Sequence, residues 1–282
     1  MSGQIVFIVW RESVEALLVI GILQAWLAQQ AGTTGAWRYL WGGVGAGVAL
    51  ALFLALGIFE LSAWLPPEGQ DYFMAGMMIL AAALIVQMVF WMRSHGRTLK
   101  RRIDQGLAEA HRRQHWWIVF VLAMVAVARE GSETVVFLYG LISSGGAEGA
   151  LALYGAIALG FGAAIATYLA LQFGGRHIPW RVFFRVTEVI LLLLGAALAV
   201  AAADKLIALG VLPYASIAWD TSWLLDDGSR LGGLVSALTG YRARPDWVIL
   251  SVWVLYWVVI LLIGLAQRLR QLASRPAAPV KG

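Results

Sequence analysis

Cysteine is absent from the 282 residues, which excludes disulfides, thiolate metal sites and cysteine-ligated iron–sulfur clusters. Charge is scarce too: only 13% of residues are Asp, Glu, Lys or Arg, against about 25% in an average soluble domain. There are four histidines, and none falls in an apolar run, so a haem held by histidines within the membrane is excluded. No G-x-x-x-x-G-K-[ST] loop is present, so the chain shows no ATP-binding site of that kind. The first ten residues, MSGQIVFIVW, lack the basic flank and small-residue cleavage site expected of a signal peptide.

What remains is apolar: 61% of the chain is hydrophobic. Seven runs long enough for the roughly 20 residues of a spanning helix lie at 3–28, 38–65, 71–93, 116–142, 149–173, 183–208 and 246–267. The sequence predicts an all-α integral membrane protein with seven transmembrane helices. The net charge of +5 does not indicate nucleic acid, because the basic residues gather in short segments between the runs. Arg93, Arg97, Lys100, Arg101, Arg102, Arg112 and Arg113 follow the third run, and Arg268, Arg270, Arg275 and Lys281 follow the last. Alternate connections carry Glu68 and Asp71, Glu148, then Asp220, Asp226 and Asp227. The positive-inside rule therefore places the amino terminus outside and the carboxy terminus inside.

Trp37, Trp41, Trp64, Trp91, Trp116, Trp117 and Trp180 sit near the predicted span ends and read as interfacial anchors. TLKRRIDQGLAEAHRR, with Leu99, Ile103, Leu107 and Ala110 on one stripe, reads as a short amphipathic helix on the inner leaflet. His95, His111 and His115 nearby read as part of a solvated basic loop rather than a metal relay.

Two of the apolar runs are interrupted in the same way. RESVEALLVIGIL begins at Arg11, and REGSETVVFLYGL begins 118 positions later at Arg129. Each copy opens a group of three runs, and an odd number of spans per group reverses the second group's direction. This predicts a 3+3 inverted repeat plus a seventh helix, an architecture of secondary transporters. The chain then divides into a first repeat (1–93), a basic loop (94–115), an inverted repeat (116–208), an outer acidic and aromatic loop (209–245), a seventh helix (246–268) and a basic tail (269–282). SWLLDDGSRLGGLVSAL within the outer loop reads as an amphipathic helix. GGVGAGVAL and GAIALGFGAAIA read as sites of close helix packing.

At about 100° per residue, Arg11, Glu12 and Glu15 share a helix face, as do Arg129, Glu130 and Glu133. Exposing such groups to lipid costs several kcal/mol apiece, so both faces point inward. One arginine neutralises one glutamate, which leaves each copy an acid in excess. A buried ion pair acting as helix glue explains a single copy; two surplus acids ask for a cation. Without Cys, and without Met or His beside the motifs in sequence, soft ions are disfavoured and iron, manganese, calcium or magnesium remain. An intramembrane hydrolase using Glu and Arg, or a non-transporting anchor of a redox complex, are the alternatives. Arg185 and Glu188 are spaced to pair, with Glu188 a possible exit-path ligand. Asp71, Asp220, Asp226 and Asp227 form a possible entry site that concentrates cations at the outer mouth.

RESVE and REGSE in the first and fourth runs resemble the oxidase-dependent iron transporter family, which includes bacterial iron permeases and the fungal high-affinity iron permease. The resemblance extends to MVFWMR at 88–93 and WDTSWLLDDGSRLGGLVSALTGY at 219–241. It implies that Glu12, Glu15, Glu130 and Glu133 are iron ligands oriented by Arg11 and Arg129. It implies further that the iron is substrate rather than cofactor, that the chain sits in the bacterial inner membrane, and that periplasmic iron-binding or ferroxidase proteins are partners. Met74 stands where some relatives carry a glutamate, a departure at the start of the third run.

Overall fold

The computed structural model describes residues 2–29, 35–113, 116–145, 149–174 and 180–273. Within these ranges, side chains are described except at 94–113, 145, 171, 173–174, 180–184, 230 and 270–273. Every regular element among the described residues is helical: α1 (Ser2–Ala28), α2 (Ala36–Trp64), α3 (Pro67–Arg113), α4 (Trp117–Gly145), α5 (Ala150–Gly174), α6 (Trp180–Ala208), α7 (Arg230–Thr239) and α8 (Trp247–Ala273). The only extended pairing among them is an isolated bridge between Ile217 and Asp246.

Five stretches are long and apolar enough to cross a bilayer: Ala36–Trp64, Pro67–Arg93, Ala150–Ala170, Arg185–Ala208 and Trp247–Leu269. The chain is a multi-pass membrane protein. α1 and α4 are equally long, 27 and 29 residues or about 40 Å at 1.5 Å per residue, but each carries three charged residues at mid-length. α2, α5 and α8 turn many large apolar side chains outward, among them Phe53, Leu151 and Leu261, which suits contact with lipid.

A described helix falls on each of the seven predicted runs and starts within four residues of it, and two run well past the predicted end: α8 continues to Ala273, beyond 267. α3 continues without a break to Arg113, so TLKRRIDQGLAEAHRR extends the third helix instead of forming a separate one. α7 begins later than the sequence pattern suggests. Asp226 Oδ1 accepts the Gly228 N–H at 3.0 Å in a local turn, and Ser229 Oγ accepts the Gly232 N–H at 3.0 Å as the helix cap. These polar groups fix the start of the helix at Arg230. It ends at Gly240, whose φ of 72° is the left-handed cap glycine favours.

α1 packs on α5 and α4 packs on α2, while α1 meets α4 and α3 meets α6. Two glycines let the first two pairs approach closely. A Cβ at Gly47 of α2 would lie 2.8 Å from both Met124 O and Val127 Cβ of α4. One at Gly160 of α5 would lie 2.8 Å from Val6 O and 2.9 Å from Val9 Cβ of α1. Val6 and Val9 lie 118 positions before Met124 and Val127, the spacing that separates the two Arg-Glu-x-x-Glu motifs.

Candidate metal centre

Both motifs lie in the middle of their helices, where α1 and α4 meet. α1 carries Arg11 and Glu12 into the interior almost completely, their side chains 3% and 1% exposed. Arg11 Nη1 donates to Glu12 Oε1 at 2.7 Å, and Nη2 lies 2.5 Å from Glu15 Oε1. On α4, Arg129 Nε donates to Glu133 Oε1 at 3.0 Å and lies 3.9 Å from Glu130 Oε1. Each arginine therefore bridges both acids of its own motif, as their placement on one helix face requires.

Across the helix interface, Glu12, Glu130 and Glu133 each bring a carboxylate oxygen within 4.8 Å of the others. Glu15 belongs to the same face but lies outside this trio, engaged by Arg11. Glu12, Glu130 and Glu133 each keep an Oε2 atom that is buried and without a hydrogen-bond partner. Unpartnered acceptors in a buried setting are unfavourable by about 1–3 kcal/mol each, more when charged. Three together form an all-oxygen, anionic donor set of the kind hard cations take.

α3 supplies contacts that the sequence pattern did not assign to the site. Met88 Sδ lies 2.8 Å from Arg11 Nη1, and Met92 Sδ lies 3.2 Å from Nη2. Methionine thus stands beside the first motif in space, correcting the sequence reading that none does; both sulfurs accept from the guanidinium. The Arg129 guanidinium lies 4.1 Å from the centroid of the Trp91 ring, so Trp91 is engaged with the second motif and is more than an interfacial anchor. The available signal was the i, i+3, i+4 spacing of Met88, Trp91 and Met92 within MVFWMR, which places them on one helix face.

The outlying acids are dispersed. Glu188 pairs with Arg93 of α3 at 3.0 Å, an interhelical partner in place of the local Arg185 that its spacing suggested. Asp71 is bound by Lys205 at 2.6 Å, and Asp220 by Arg244 at 3.0 Å. Hydrogen bonds to Asp220 from Ser222 Oγ (2.6 Å) and Ser222 N (2.9 Å), with the Arg244 charge, hold its carboxyl below the ordinary aspartate value. Asp226 caps the turn before α7. Asp227 lines a cavity of about 250 Å³, beside Gln4, Ser144, Ser236 and Arg242, and with Asp226 it also lines a second of about 410 Å³ nearer Arg244. In the first, Arg242 pairs with Asp204, and Gln4 donates to Ala237 O. The side chains of His95, His111 and His115 lie outside the described residues.

A helical membrane protein that gathers buried carboxylates from two helices has the donor set of a protein that handles cations within the membrane. Comparison with known proteins gives the family. Residues 3–275 match the Iron permease FTR1 family, and the chain belongs to it. It is 31% identical over 277 residues to the ferrous iron permease EfeU of Shigella sonnei (strain Ss046), covering 96% of this chain and 98% of that protein. It is 30% identical over 262 residues to the ferrous iron permease EfeU of Yersinia pestis, covering 91% and 90% of the two chains. Identity is likewise 31% over 277 residues, covering 96% and 98%, to a protein of Escherichia coli (strain K12) described as a putative inactive ferrous iron permease EfeU. No solved structure matches. The family is one of permeases, which identifies the chain as a transporter and not an enzyme.

Proposed function

We propose that this chain moves iron ions across the bacterial inner membrane through a site shared by the two Arg-Glu-x-x-Glu motifs. The observation that carries this reading is the trio of buried, partly unpartnered carboxylates of Glu12, Glu130 and Glu133. With all four motif acids ionised, two arginines leave two negative charges in excess. A divalent ion would cancel them and be coordinated by the oxygens left without a hydrogen-bond partner. Arg11 and Arg129 orient the acids and limit their repulsion when no ion is present. The relatives are named as ferrous iron permeases, so the ferrous ion is the form to test first.

The same reading includes seven spanning helices, an outside amino terminus and an inside carboxy terminus. The inverted repeat has a geometric counterpart in the close contacts: under a shift of 118 positions, the part of α1 that meets Gly160 becomes the part of α4 that meets Gly47. An inverted repeat would relate the two contacts by an approximate two-fold axis between α1 and α4. Iron reaches the outer mouth from periplasmic iron-binding or ferroxidase proteins, with Asp227 and its cavities as the landing point.

The decisive measurement is metal uptake into proteoliposomes holding the full chain, comparing ferrous iron, ferric iron and manganese. Iron entry that is lost in Glu130→Gln supports the reading. Equal entry in wild type and in all three of Glu12→Gln, Glu130→Gln and Glu133→Gln would end it.

A further inference from the structure

One turn of α3 touches both motif arginines, yet the two are held differently. Arg11 is 3% exposed, enclosed by two carboxylates and two thioethers. Arg129 is 34% exposed and is the least covered of the six motif side chains. Its planar group rests on the Trp91 ring while its Nε holds Glu133.

Apolar packing closes both ends of the carboxylate cluster, so the difference lies in the arginines themselves. Toward α7, the helix stripe of α1 runs from Arg11 through Ile8 to Gln4, and that of α4 from Glu133 through Phe137 and Leu141 to Ser144. Gln4, Leu141 and Ser144 line the outer cavity. Ile8 and Phe137 are fully buried in one apolar core, so that end is sealed between cavity and acids. The opposite end carries the partly exposed Arg129, and beyond it Leu23 and Leu27 of α1 pack with Val119 and Ala123 of α4 in a second buried apolar cluster.

We propose that Arg129 is the movable arginine of the carboxylate cluster, and that Trp91 is the positioning residue that holds it while Glu133 changes partner. The proposal rests on the iron permease reading above. When an ion draws Glu133 toward itself, Arg129 loses a carboxylate partner. A guanidinium stranded in an apolar setting would resist that release. The Trp91 face gives the cation a second partner that survives the exchange. Glu133 can then turn between arginine and iron without either state leaving a bare charge. Arg11 has no such alternative surface and stays fixed.

The test uses full-length Trp91→Leu, Trp91→Phe and Trp91→Tyr in proteoliposomes and in detergent, with ferrous iron as the probe. A cation–aromatic contact of this kind corresponds to a factor of about 3 to 30. Trp91→Leu is therefore expected to slow uptake at saturating iron by about that factor, while its iron dissociation constant changes less than about twofold. Trp91→Phe and Trp91→Tyr retain an aromatic face and are expected to restore most of the rate. Three results overturn the proposal: an unchanged rate in Trp91→Leu, aromatic variants as slow as the leucine variant, or iron affinity falling in step with rate. Failure of the permease reading is distinct, since the wild-type protein would then neither bind nor admit iron.

Discussion

Gly47 of α2 and Val127 of α4 are so close that a Cβ on the glycine would lie 2.8 Å from the valine Cβ. Its counterpart is Gly160 against Val9, on the other pair of helices. Gly47→Ala and Gly160→Ala force backbone apart and are expected to lower stability by about 1–3 kcal/mol. Gly45 and Gly162 have open space where a Cβ would go. Alanine at those two positions is expected to be neutral or stabilising by up to about 1 kcal/mol. Thermal unfolding of the four variants in detergent separates the pairs; equal effects would mean that the close approach is not needed.

The four motif glutamates are expected to part into two groups. Glu12, Glu130 and Glu133 form the cluster, so Glu→Gln there should weaken iron binding by at least about tenfold with little loss of fold. Glu15 lies outside the cluster, so Glu15→Gln should affect binding less, with a stability change like that of Glu12→Gln, since Arg11 keeps one carboxylate in either variant. Calorimetric iron titration and thermal unfolding on the same samples decide this. Four variants with equal losses of iron affinity would restore a symmetrical four-acid site.

Arg11 uses separate nitrogens for Glu12 and Glu15, with a thioether behind each. A lysine keeps the charge but not the planar fork. Arg11→Lys is expected to reduce iron uptake by about tenfold or more while the helices remain folded by circular dichroism. Wild-type uptake in this variant would reduce the arginine to a generic counter-charge.

At the outer mouth the acids are also unequal. Asp220→Asn should leave uptake unchanged, because Arg244 already neutralises that carboxylate. Asp227→Asn should slow uptake about twofold or more at subsaturating iron and low ionic strength, with the difference fading as salt rises. Uptake rates at two salt concentrations provide the check. No effect of Asp227→Asn at low salt would remove the Asp227 cavities from the entry path.

Orientation is tested without reference to iron. A reporter active only in the cytoplasm should work when fused after Arg102 or Gly282 and fail after Gly228. The reverse pattern would place the basic segments outside and invert the proposed direction of transport.

The sequence by itself determined the helices and the ingredients of the site. Apolar runs of spanning length leave few alternatives to helix, since every backbone polar group must be satisfied within the segment. Arg11, Glu12 and Glu15 share a face through helical periodicity alone, as do their counterparts at 129, 130 and 133. Spacing could not decide what α3 brings to that face. Met88, Trp91 and Met92 look like ordinary residues at the end of an apolar run until the packing of α3 on α1 and α4 sets them against Arg11 and Arg129. Nor could it choose the partner of Glu188, because Arg185 at i−3 and Arg93 on another helix offer the same charge, and only the packing of α3 on α6 brings Arg93 within 3.0 Å. The separation of Glu15 from the other three acids is likewise tertiary. All four are equivalent in the repeated motif, and a difference between them arises only where two helices meet at a particular rotation and two arginines are unequally enclosed.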